Sequence, residues 1–192
     1  GLIAILLMVI AVELPAVSIV KEKEQGTIET LYTTPISNFA ILVGKVLPFS
    51  IVGLVDAILV FLVATLWFEI PFRGSFMLFL GTTSIFLLTC LSLGIFISTL
   101  TDTEQGAMTI AFLTSMLPAI ILSGFIFPIE NMPVVLQYVT YLVPARYFII
   151  ILRDLFLKGN GISAYLTEII SLLIFAVLFL FGAWVRMKKR LD

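Results

Sequence analysis

An all-α integral membrane domain is the fold class this sequence predicts, on three observations. Of its 192 residues 61% are hydrophobic and only 12% charged, with a mean hydropathy of +1.21, far outside the range of a soluble globular domain. Five apolar runs each approach the roughly 20 residues that a helix needs to cross a hydrocarbon core about 30 Å thick. Between the first two lies a compact polar segment, KEKEQGTIETLYTTPIS, residues Lys21 to Ser37.

Composition also excludes functions. A formal net charge of −1 leaves no concentrated basic surface, so no nucleic acid is expected as a partner. The chain has no histidine, which removes Ser-His-Asp and Cys-His catalysis and most zinc sites. No catalytic residue and no metal site is therefore expected. The single Cys90 sits in an apolar run, which rules out a disulfide framework and reads as a small buried residue.

The five spans are placed at Leu2 to Val20, Phe39 to Phe68, Ser75 to Leu100, Gly106 to Phe127 and Tyr165 to Val185, within one domain covering 1–192. The first opens on Gly-Leu-Ile with no basic leader, which reads as a trimmed N-terminus rather than a signal peptide. Pro48 in the second and Pro118 in the fourth each remove a backbone hydrogen bond and should kink their helices. Orientation follows the positive flanks. Arg186, Lys188, Lys189 and Arg190 place the C-terminus in the cytoplasm, and counting back puts 21–37 and 101–105 inside, with 69–74 and 128–164 outside. On this count the first residue lies outside, so an additional span is expected before it.

Within 21–37, the residues up to Gln25 extend the first span as a charged last turn and a half, and Gly26 is suited to the left-handed conformation that ends it. Thr27 can cap a new helix. Ile28, Leu31 and Tyr32 fall at i, i+3 and i+4 on one apolar face, Glu29 points elsewhere, and Pro35 stops the helix. Two turns are unstable alone because nucleation is costly, so the segment needs a partner surface. Three carboxylates against two lysines gain little from an anionic leaflet, which favours a protein over lipid headgroups.

The outer stretch is too apolar for a plain loop. Gly124 and Pro128 should break the fourth span, and Pro133 to Leu142 and Ala145 to Leu157 look helical yet too short to cross, separated by Pro144. Residues 129–159 therefore read as two re-entrant or interfacial helices. Arg146 and Arg153, seven apart, share a face of the second, and Gly159-Asn160-Gly161 ends it.

Glu13 and Asp56 are the ionisable groups deepest in the spans. Such groups face a cavity, find a partner or become neutral, so each is either part of a transport pathway or an interhelical hydrogen bond. Lys45 lies near enough to the cytoplasmic face to snorkel. Ser115, Ala119 and Ser123, and Gly94 with Ser98, recur every four residues as small faces for close helix contact, within one chain or between two.

Several motifs in order resemble the permease subunits of bacterial type-2 ATP-binding-cassette exporters. They are Glu22 to Leu31 followed by Thr34-Pro35-Ile36-Ser37, Gly44-Lys45, Leu122 to Pro128 with Met132-Pro133, and Pro144 to Phe148 with Arg153. The resemblance implies that 21–37 is a cytoplasmic coupling helix seated in a cytosolic ATPase, with Glu22, Glu24, Gly26, Thr27, Ile28, Glu29, Leu31 and Tyr32 as its contact residues. It further implies six spans in the full chain, a second permease copy or paralogue as partner, and a bacterial inner-membrane location. Gly124, Pro128, Pro133, Pro144, Arg146 and Arg153 become candidates for an outer gate. No stretch matches G-x-x-x-x-G-K-[ST], so ATP and Mg are expected on the partner subunit and no cofactor on this chain. The competing reading is an ion-coupled secondary transporter that uses Glu13 and Asp56.

Overall fold

Five helices long and apolar enough to cross a membrane coincide with the five runs, in a computed structural model that describes residues 1–26 and 38–189, the backbone alone for 38–43 and 187–189. In chain order the helices are α1 (Leu2–Glu24), α2 (Asn38–Leu62), α3 (Phe76–Ser98), α4 (Glu104–Ile121), α5 (Val134–Thr140), α6 (Pro144–Arg153) and α7 (Leu166–Lys189). Wider π-helical turns, Val63–Trp67 and Asp154–Lys158, prolong α2 and α6.

Helices α1 and α3 form the centre. α4 packs on α1, α7 packs on α3, α2 lies along both, and α6 is wedged against α3 and α7. Lipid provides no hydrophobic force between apolar helices, so close packing and interhelical hydrogen bonds must hold such a bundle. Both devices are present. Gly94 of α3 faces the Val12 carbonyl and the Pro15 ring of α1; a Cβ there would overlap that carbonyl and stand 2.6 Å from Pro15 Cγ. Pro15 was not anticipated as a packing residue, although its ring fills the surface that Gly94 leaves open. On α4 the buried Ala107, Ala111, Ser115 and Ala119 recur every four residues, while Phe112, Leu113, Leu117 and Ile121 stay exposed. The small stripe thus serves a contact within this chain.

The hydroxyls of α3 complete the centre. Thr82, Thr89 and Ser92 are buried and donate to carbonyls one turn back, at 2.8, 3.0 and 2.6 Å. Thr89 Oγ1 also lies 2.9 Å from the Leu172 carbonyl of α7, so one hydroxyl bridges two spans. Phe86 of α3 stacks on Phe148 of α6, with centroids 4.1 Å apart and planes 10° apart.

The fourth span is shorter than expected. Helix α4 stops at Ile121 rather than Phe127, because its last turn closes on Leu122 N–H to Pro118 O at 2.8 Å and Gly124 then turns left-handed at φ +79°. Beyond it, α5 and the α6 helix with its π turn are bent by 84° at the break before Pro144.

Gly94→Ala is expected to destabilise the bundle by about 1–3 kcal/mol, since backbone rather than a flexible side chain blocks the new methyl. Gly81→Ala in the same helix meets nothing within 4 Å and should leave stability unchanged or raise it by up to about 1 kcal/mol through helix propensity. Thermal unfolding of both variants in detergent checks the pair.

Candidate functional site

Helix α1 ends as the sequence leads one to expect: its charged last turn runs to Glu24, and Gly26 takes φ +68°. The fate of that turn's charges is less expected. Glu22 forms an ion pair with Lys45 of α2, and the Lys23 ammonium donates to the Ser98 carbonyl at the C-terminus of α3. Glu24 Oε1 accepts the Glu104 N–H at the N-terminus of α4, at 2.9 Å. Lys45, expected to snorkel, is therefore paired. Glu22 and Glu24, which the resemblance gives as coupling residues, bond to neighbouring helices. Of the other expected contact residues, Thr27, Ile28, Glu29, Leu31 and Tyr32 lie outside the described residues.

The same end carries a further cap. Thr103 Oγ1 accepts the Gly106 N–H at 3.2 Å, so side chains satisfy two of the first free N–H groups of α4. Sequence reasoning missed Lys23, Ser98 and Glu104. The signal available was a lysine two positions after Lys21 with its charge reversed on either side.

Glu13 is half-buried and lines a groove of about 390 Å³ with Ile10, Leu14, Val17, Ser18 and Lys21 of α1, Phe49 of α2 and Met108 of α4. The groove is almost wholly apolar, and its two ionisable groups lie two turns apart on α1. Asp56 is half-buried on α2 and does not line this groove. No hydrogen bond or ion pair to another described residue engages either carboxylate. The described residues hold no group of three or more His, Cys, Asp or Glu placed to bind a metal.

At the opposite end the candidate residues fall into two groups. Arg146 lies over the Tyr141 ring, 3.8 Å from its centroid, and donates to Thr140 Oγ1, which fixes the bend between α5 and α6. Tyr147 Oη adds a 2.9 Å bond to the Tyr141 carbonyl across the same bend. Pro144 supplies the first turn of α6, where its missing N–H costs nothing, and Pro133 precedes α5 likewise. Arg153 instead reaches 2.8 Å to the Gly124 carbonyl, and so ties the end of α6 to the turn after α4. Pro128 leads into a short 3-10 turn, Ile129–Asn131.

The end of α6 is closed by local bonds. The Lys158 ammonium at 2.8 Å and the Asn160 amide at 2.9 Å hold the Asp154 carboxyl below its usual range, and Gly159 ends the turn at φ +67°. Gly159 also admits the Arg73 carbonyl, and Arg73 N–H donates to the Phe156 carbonyl at 3.3 Å. Phe61, Phe72, Phe76, Phe79 and Phe156 form an aromatic cluster beside this junction, with Phe61 4.9 Å from both Phe72 and Phe79.

A bundle of five membrane-length helices, tied by charges at one end and capped by a bent helix pair at the other, defines a multi-pass membrane protein. Residues 1–185 match the family described as ABC-2 family transporter protein, and the chain belongs to that family. It is 38% identical to the Probable multidrug ABC transporter permease YbhS of Escherichia coli K12 over 192 residues, 100% of this chain and 51% of that one. With YbhR of the same strain, which carries the same description, identity is 35% over 174 residues, 91% and 47% of the two chains. The ABC transporter G family member 20 of Dictyostelium discoideum is 29% identical over 163 residues, 84% of this chain and 22% of that protein. The chain spans about half the length of the E. coli relatives it matches.

Arg153→Ala is expected to free the turn after α4. Amide hydrogen exchange over residues 122–131 should rise about tenfold, the loss of one charge-assisted hydrogen bond, with exchange at the 98–106 end unchanged.

Proposed function

We propose that this chain is the membrane-spanning permease domain of an ATP-driven exporter. The observation that carries the reading is the family match over residues 1–185, and the relatives' descriptions as multidrug ABC transporter permeases support it. The permease binds no nucleotide itself. ATP and Mg are bound on a cytosolic ATP-binding-cassette subunit, which receives the 21–37 segment, and a second copy of this chain or a paralogue completes the pathway. The protein resides in the bacterial inner membrane with its C-terminus in the cytoplasm, and ATPase closure moves 21–37 against the spans.

The groove beside Glu13 is the pathway element of this reading. Its apolar lining suits an amphipathic cargo, and a carboxylate without a partner among the described residues offers that cargo a polar contact. Asp56 is a second pathway candidate. The bent α5–α6 pair re-enters the outer leaflet and, with Gly124, Pro128, Pro133, Pro144, Arg146 and Arg153, forms the outer gate.

Glu29→Lys and Leu31→Asp are expected to leave membrane insertion intact and to lower transport about tenfold or more, which corresponds to ~1.4 kcal/mol of lost docking. ATP hydrolysis and efflux are measured together in proteoliposomes holding the full-length chain and its ATPase. Wild-type coupling in both variants, or transport driven by a proton gradient without ATP, would exclude the reading.

A further inference from the structure

We propose that Glu22, Lys23 and Glu24 form a three-way clamp which fixes Lys45, two turns into α2, and the ends of α3 and α4 to the last turn of α1. The proposal rests on the reading of 21–37 as a coupling segment and supplies the link between that segment and the bundle. Successive residues of an α-helix point about 100° apart, so three in a row fan over about 200° and reach three different neighbours. Each charge meets a group of opposite character. Glu22 meets the Lys45 cation, Lys23 the free carbonyl end of α3, and Glu24 the free N–H end of α4. The last two partners are the helix-end groups that the backbone leaves unsatisfied and that the helix dipole biases toward a cation and an anion respectively.

The order minus, plus, minus in the sequence is thus matched to three partners in space, and reversing any one sign would oppose it to its neighbour. A surface ion pair alone contributes little. Here the side chains of Glu22 and Lys45 are only 35% and 16% exposed, and the other two bonds satisfy backbone groups that need a partner. Gly26 follows two residues after the clamp in a left-handed turn. The chain therefore leaves α1 at an elbow immediately beyond the point where four helices are joined. Displacement of 27–37 is passed to α1 and the clamp through Gly26 and to α2 through Asn38, so the clamp is what spreads it to α3 and α4. Glu22, Lys23 and Glu24 are positioning residues on this account, not cargo contacts.

The test uses the full-length transporter in lipid nanodiscs, with spin labels at exposed positions 25 and 105, or 25 and 47; Cys90 is fully buried and takes no label. Inter-label distances are read without nucleotide or ATPase, so they report on the clamp alone. Glu24→Ala should broaden the distribution for the 25 and 105 pair and leave 25 and 47 narrow; Glu24→Gln, which keeps the acceptor oxygen, should stay close to wild type. Lys45→Glu should broaden 25 and 47, and the double variant Glu22→Lys with Lys45→Glu should restore it. Transport per ATP should fall severalfold in the broadened variants and recover in the double swap. Distributions that match wild type in all variants would overturn the clamp, as would broadening that leaves transport per ATP unchanged. A wild-type transporter that never retains an ATPase would sink the coupling reading while the distances still decide the clamp.

Discussion

Two helix backbones approach closely only where no side chain separates them, and the bundle is organised around one such place. At Gly94 the backbone of α3 meets the Val12 carbonyl and the Pro15 ring of α1. With these two helices fixed, each remaining span has a defined seat. α4 lays its small stripe on α1, α7 is held to α3 by Thr89, and Gly53 of α2 lies so close to Leu87 of α3 that a Cβ on the glycine would stand 2.8 Å from a leucine methyl. None of these seats depends on hydrophobic attraction between helices, which lipid does not supply. Small residues and hydroxyls take its place, and large apolar side chains such as Ile51, Val55, Leu117 and Val177 are left on the outside.

Much of this was legible in the sequence because it depends on local pattern. The apolar runs gave the helices, Gly26 and Gly159 gave two helix ends, and Pro144 with the short runs beside it gave the bent pair. The small residues of α4 advertised a close contact by their spacing. Which helix they would face was not written in the stripe, because any span with a complementary surface could have met it. Helix α3 posed the same difficulty more strongly. It is apolar nearly all round, so no face of it is marked as inward, and its central place emerged only from packing.

The candidate site was legible as chemistry and not as pairing. Glu22, Glu24, Arg146 and Arg153 were recognisable as charges that an apolar chain keeps for a reason. The partners of Glu24 and Arg153 lie far off in sequence: Glu24 meets Glu104, and Arg153 meets the carbonyl of Gly124. Two of those partners are backbone groups, which any residue carries, so no side-chain motif could announce them. Lys45 shows the converse. Its depth suggested an independent route to water, whereas a carboxylate on the adjacent helix was already within reach. The turn after α4 came earlier than the apolar run implied, because Leu122 and Phe125 are apolar for packing against the core and not for crossing.

The two ends of the bundle are held by forces that respond differently to their surroundings. At one end Glu22, Lys23 and Glu24 depend on charge, which rising ionic strength screens most at exposed Glu24 and less at the partly buried Glu22–Lys45 pair. At the other, five phenylalanines and a backbone bond from Arg73 to Phe156 join α2, α3 and α6 through contacts to which dissolved salt is nearly indifferent. The molecule resembles a hinge with one leaf screwed and the other partly welded: salt composition on one side of the bilayer adjusts the stiffness of the first, while the aromatic junction of the second responds little to it.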